Sequence, residues 1–74
     1  MDYYAKLNSA LKAEYEDVVM YADIYKMSDN AIFRDIAREE YTHAKHLKDI
    51  LQSAGMLEAA PELDEKAKAA LGQV

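Results

Sequence analysis

Cysteine is absent from this 74-residue chain, which excludes disulfides, cysteine–zinc sites, cysteine-bound iron and thiol chemistry. Glycine and proline are scarce and fall late, as Gly55, Pro61 and Gly72. Little therefore interrupts helix before Gly55. No apolar run approaches the roughly 20 residues needed to span a bilayer. The start, MDYYAKLN, has neither the positive region nor the apolar core of a signal peptide, so a cytoplasmic location is expected. An excess of positive charge is missing too. Nine basic residues face fourteen acidic ones, for a formal net charge of −5. With no basic cluster, neither nucleic acid nor a membrane is an expected partner.

What is present suits an ordered globular protein: 51% hydrophobic and 31% charged residues. The length allows one small domain. A core of that size supplies only about 3–5 kcal/mol, and small domains add disulfides, metal or self-association. Without cysteine, metal and self-association remain.

The pattern predicts an all-α chain. One helix is expected over about 3–27 and a second over about 31–54, separated by Ser28, Asp29 and Asn30, residue types that favour turns and N-caps. Gly55 stops the second helix, completing a hairpin over 1–55. The remainder, 56–74, is a connection and a short third helix from about Pro61 to Leu71, with Leu63, Ala67, Ala70 and Leu71 as a modest apolar face.

Heptad numbering gives each long helix one seam. The first holds Tyr4, Leu7, Leu11, Glu14, Val18, Tyr21 and Tyr25; the second holds Phe33, Ile36, Glu40, His43, Leu47, Ile50 and Ala54. Ala10, Ile24, Ala37, Ala44 and Leu51 widen these seams into the broad stripe of a packed bundle. A single hairpin leaves much of that stripe uncovered. Two hairpins pairing as a four-helix bundle would bury it, so a homodimer is expected.

Three seam residues are polar: Glu14, Glu40 and His43. Counted from the turn near Asp29, at ~1.5 Å rise per residue all three lie roughly 17–22 Å along the hairpin. They share a layer. Burying carboxylates and an imidazole is costly without compensation. A symmetric dimer would bring four glutamates and two histidines together, and some carboxylates would be forced to protonate. Two divalent cations would balance the four negative charges. Carboxylate and imidazole donors without thiolate suit iron or manganese, and the i, i+3 spacing of Glu40 and His43 aims both at one ion.

A glutamate on one helix and E-x-x-H on its partner resembles half of a ferritin-like di-iron carboxylate site. The run Glu40 to Ala44, E-x-x-H-A, particularly resembles rubrerythrins, as does Glu14 followed seven residues later by Tyr21. The same ligand pattern also occurs in designed di-iron hairpins. The resemblance spans about residues 10–54. It implies that Glu14 is a terminal or bridging ligand, Glu40 a bridging ligand and His43 the nitrogen ligand. It implies a further role for Tyr21, as hydrogen-bond donor to a ligand carboxylate, and for Glu39, as partner of the free ring nitrogen of His43.

The implied protein is a homodimer or higher homo-oligomer, with two Fe ions per dimer (manganese being possible), oxidising iron or reducing peroxide or oxygen. The chain departs from the family in carrying one metal-binding helix pair where four helices in one chain are usual, so a complete site requires another protomer. The cysteine-bound iron common in rubrerythrins is missing, so redox cycling requires an external electron donor. The alternative is a non-catalytic helical oligomerisation or interaction module with a structural acidic layer.

Outside that layer, His46 reads as a rim residue, Asp17 and Glu16 as solvated acids. Tyr3, Tyr4, Tyr15, Tyr25 and Tyr41, with Met20 and Met27, read as packing residues.

Overall fold

The computed structural model describes residues 2–59 and 61–74. It has three helices: α1 over Tyr3–Ser28, α2 over Ala31–Ser53 and α3 over Pro61–Gly72. The molecule is a rod of 39 × 19 × 16 Å. Its long dimension is that of α1, whose 26 residues span about 39 Å at ~1.5 Å each.

Local chemistry sets the helix ends. Asp2 caps α1, its carboxylate accepting from the Ala5 amide at 2.7 Å. Asp29 closes α1 in the left-handed region, at φ 54°, which aspartate tolerates better than most residues. Asn30 then caps α2 by accepting from the Ile32 amide. The chain thus reverses over Asp29 and Asn30, while Ser28 belongs to α1. Gly55, at φ 67°, ends α2. There the Met56 amide reaches the Leu51 carbonyl and the Gly55 amide reaches that of Gln52, the paired bonds of a Schellman close.

The hairpin core holds Leu11, Val18 and Leu51 as its largest fully buried side chains, with Ala22, Ala37 and Ala44 between the helices. The third helix runs parallel to α1 and packs mainly on it, with Leu63 and Leu71 partly buried and Ala67 fully so. Its stripe also contains Asp64, buried against the hairpin. The Tyr41 hydroxyl donates to Asp64 at 2.7 Å and the Lys48 ammonium does so at 3.2 Å. Lys68 lies 3.6 Å away. Burial alone would raise the Asp64 carboxyl, but the Tyr41 hydrogen bond and the two ammonium groups outweigh it and hold the group below its ordinary value. Burial, then the Asp64 hydrogen bond and charge, push the Tyr41 phenol up.

Placement of α3 turns the buried stripe. Tyr15 and Tyr41, one residue beyond Glu14 and Glu40, are at 3% and 8% exposure, packing residues as expected. The heptad seam itself faces partly outward, with Ile36 and Leu47 half-buried and His43 and Ile50 exposed. Three packing assignments change. Met27 is exposed beside the turn and Met20 is also largely exposed, as is Tyr3, because no described element covers those positions.

Asn8 fastens the connection between α2 and α3. Its amide donates to the Tyr4 and Met56 carbonyls, both at 2.9 Å, while its oxygen accepts from the Glu58 amide at 2.8 Å. Asn8→Ala should cost about 1–2 kcal/mol, read as a lower urea midpoint, with faster hydrogen exchange at the Glu58 amide. Unchanged exchange there would mean that the connection is held by its apolar contacts alone.

Candidate metal centre

Helix geometry brings Glu14, Glu40 and His43 together. Each offers one ligand atom such that all three atoms lie within 4.8 Å of one another. Glu14 comes from α1, whereas Glu40 and His43 lie one turn apart on α2, so the antiparallel hairpin superposes them at one height. The His43 Nδ1 atom is 3.7 Å from Glu14 Oε2 and 3.7 Å from Glu40 Oε1. These separations exceed hydrogen-bond length. They leave a gap between donors that point toward one another.

The two carboxylates are largely enclosed, with side-chain exposures of 23% for Glu14 and 21% for Glu40, while His43 keeps 56%. The layer therefore opens outward through the histidine. Glu14 Oε2 is fully buried and has no hydrogen-bond partner, an arrangement that calls for a proton or a cation. Burial pushes the Glu14 carboxyl up to about 7, helped by the proximity and charge of Glu40 and by the charge of Asp17, and opposed by that of His43. Without metal, a proton held on Glu14 relieves the repulsion between the two carboxylates. With metal, the same orphaned oxygen is a ready ligand, and two carboxylates with one imidazole fit a hard-to-borderline divalent ion.

The other sequence-derived positions fall outside this cluster. The Tyr21 ring stacks on Phe33, with centroids 6.5 Å apart and planes 13° from parallel. No hydrogen bond joins its hydroxyl to the unpartnered Glu14 oxygen. Glu39 and His46 are exposed, and Asp17 is half-buried beside Glu14. The buried Asp64 group was not foreseen. Its signal was present, since Asp64, Ala67 and Leu71 follow the three-and-four spacing of a buried stripe.

A helical hairpin with two enclosed carboxylates and an imidazole at one height defines an all-α domain with a metal-binding donor set. The rubrerythrin family model matches residues 6–72. The chain belongs to the rubrerythrin family, whose domain is ferritin-like and di-iron. Neither a curated protein nor a solved structure matches it. The match runs beyond the hairpin and includes α3. Among the described residues, no helix is long and apolar enough to cross a membrane.

Proposed function

We propose that two copies of this chain pair through the face bearing Glu14, Glu40 and His43, and that the joined layer holds two iron ions for iron oxidation coupled to reduction of peroxide or dioxygen. Manganese fits the same donors. The observation that carries this reading is the convergence of three donor atoms within 4.8 Å around a buried carboxylate oxygen with no partner. Exposed Ile50 and the half-exposed imidazole on that face give a second copy both apolar surface and donors to cover.

Each residue has a distinct task. Glu14 and Glu40 neutralise the cations and fix their spacing. His43 would supply nitrogen from the side that the second copy covers. Leu11 and Val18 lie buried beneath the layer, and Ile36 and Leu47 are partly buried, so they limit water. The bound ions supply the electrons for oxidant reduction. Return of those electrons falls to an external donor, because the chain carries no cysteine.

Anaerobic titration with Fe(II), followed by metal analysis and light scattering, tests the reading. One iron per chain in a dimer or higher homo-oligomer is expected, with faster oxidation on mixing with peroxide or oxygen than in Glu40→Ala. A monomer at every metal concentration would overturn the shared layer.

One observation favours a second reading. The Glu14 carboxyl reaches about 7 beside Glu40, so a proton alone can neutralise the pair. The layer would then be structural, within a helical oligomerisation or interaction module. Glu14→Leu would stabilise such a module, and added metal would leave its melting temperature unmoved.

A further inference from the structure

We propose that the side of α2 nearest α3 is a docking surface for an acidic helical segment of a partner protein. The basic residues form no run in the sequence, but helical spacing gathers them. Arg34, Arg38, Lys45 and Lys48 recur at steps of four, seven and three, which places all four on one stripe of α2. Lys68 adds a cation from α3, 3.6 Å from the Asp64 carboxylate that Lys48 also meets. Five of the nine basic residues thus share one side of a chain whose net charge is −5. The stripe lies about half a helical turn round α2 from His43. Pairing through the metal layer therefore leaves it open, and the proposal stands whether or not metal binds.

Most of this charge has no counter-ion within the chain. Arg34 and Arg38 stand one turn apart, as do Lys45 and Lys48, and like charges at that spacing repel. Among the described residues, Arg34, Arg38 and Lys45 join no ion pair. Aromatic rings hold two of them instead. The Arg34 guanidinium lies 5.4 Å from the Tyr25 ring centroid, and the Lys45 ammonium 5.3 Å from that of Tyr41. The Arg34 Nε atom is buried without a hydrogen-bond partner. Cations already positioned over rings lose less freedom when an anion arrives.

Shape and charge select the partner. Lys45, Lys48 and Lys68, with Tyr15 and Tyr41, line a cleft of about 230 Å³ between α2 and α3. Tyr15 is 3% exposed, and among the described residues its hydroxyl makes no hydrogen bond. Asp49 and Asp64 line the same cleft. Asp64 is already met by Tyr41, Lys48 and Lys68, which leaves Lys45 and the Tyr15 hydroxyl to receive an entering carboxylate. Exposed Asp35, Glu39 and Asp49 form a second stripe, one residue further round α2. The phosphates of a nucleic acid would meet these acids, whereas carboxylates along one face of a helix would meet the cations alone. A lipid surface finds no large exposed apolar side chain along the stripe. From Arg34 to Lys48 the stripe runs about 21 Å at ~1.5 Å per residue, matching a partner helix of about four turns.

The test titrates the full, metal-free chain into a fluorescein-labelled helical peptide whose glutamates carry the stripe's own spacing, and follows anisotropy at low salt. Binding that weakens as salt rises is expected, with Kd raised about fivefold or more when Arg38→Gln and Lys45→Gln are combined. Both positions are exposed, so the fold tolerates the change. Combining Lys6→Gln with Lys12→Gln removes the same charge from exposed positions of α1 and should change Kd less than about twofold. Equal losses in the two double variants would make net charge the cause and overturn the proposal. So would a wild type that leaves the peptide free, or one that binds single-stranded DNA or phosphatidylserine vesicles more tightly than the peptide. Light scattering supplies the last arm: self-association abolished by Arg38→Gln with Lys45→Gln would assign the stripe to a second copy, and would overturn it as well.

Discussion

Ferrous iron added without oxygen is expected to raise the melting temperature of the wild-type protein by roughly 15–30 °C, and to leave Glu40→Ala and His43→Ala almost unmoved. The size follows from linkage. A ligand bound only by the folded state, at a thousandfold excess over Kd, stabilises by about 4 kcal/mol. In a domain this small each kcal/mol is worth about 4–8 °C. The direction follows from the enclosed Glu14 oxygen, which has no partner among protein groups.

The metal-free variants sharpen the comparison. Removing Glu40 takes away the charge that most directly opposes ionisation of Glu14, so metal-free Glu40→Ala should melt no lower than wild type by more than the loss of its packed methylenes, about 1 kcal/mol. Protein concentration must be held constant, since pairing makes melting concentration-dependent. A wild-type transition that ignores both Fe(II) and Mn(II) would favour the structural layer over the metal centre.

Much of the hairpin was legible because its signals are local. Asp29 and Asn30 carry turn and cap chemistry in their own side chains, and Gly55 supplies the left-handed backbone that the close of α2 requires. The common height of Glu14, Glu40 and His43 was also readable, because antiparallel helices of fixed rise convert residue counts into distance. What could not be read was which part of a broad apolar stripe faces inward. Heptad counting placed Glu14 and His43 in the seam, but the docking of α3 over Tyr15 and Tyr41 rotates the buried face toward that side and leaves His43 half exposed.

That docking depends on contacts remote in sequence. Asp64 meets Tyr41 across 23 positions, and Asn8 meets Glu58 across 50. A carboxylate in a short amphipathic helix looks like surface until the phenol and ammonium groups that enclose it are in place. Tyr21 shows the complementary limit. It lies two turns from Glu14 on one helix, yet Phe33, arriving from α2, takes up the ring.

Without metal, stability should fall as pH rises from about 4.5 to about 7, and Glu14→Gln should flatten that slope. The Glu14 carboxyl sits at about 7 in the folded chain against an ordinary 4.5. Between those values the folded state holds a proton that the unfolded state has released, so raising the pH favours unfolding. Below about 4.5 both states hold it and the contribution is complete. Full conversion of the shift gives about 3 kcal/mol. The 23% exposure of the side chain lets solvent screen part of this, leaving about 1–2 kcal/mol.

Asp64 acts in the opposite sense. Its folded carboxyl lies below the ordinary 3.8, so its contribution is present above that value and is lost in stronger acid. The acid limb and the near-neutral limb thus belong to different residues. Urea midpoints of chelator-treated protein from pH 4.5 to 8 measure the second limb. Glutamine mimics the protonated carboxyl by offering an N–H to Glu40, so Glu14→Gln should retain the stability of wild type at pH 5 up to pH 8. A flat wild-type profile would mean that the Glu14 carboxyl is not raised in the folded chain. Iron should reverse the dependence: it displaces the Glu14 proton, so its apparent affinity falls up to about tenfold for each pH unit below 7. Opposite slopes with and without iron, both removed by Glu14→Gln, would identify one oxygen atom as the shared seat of proton and metal.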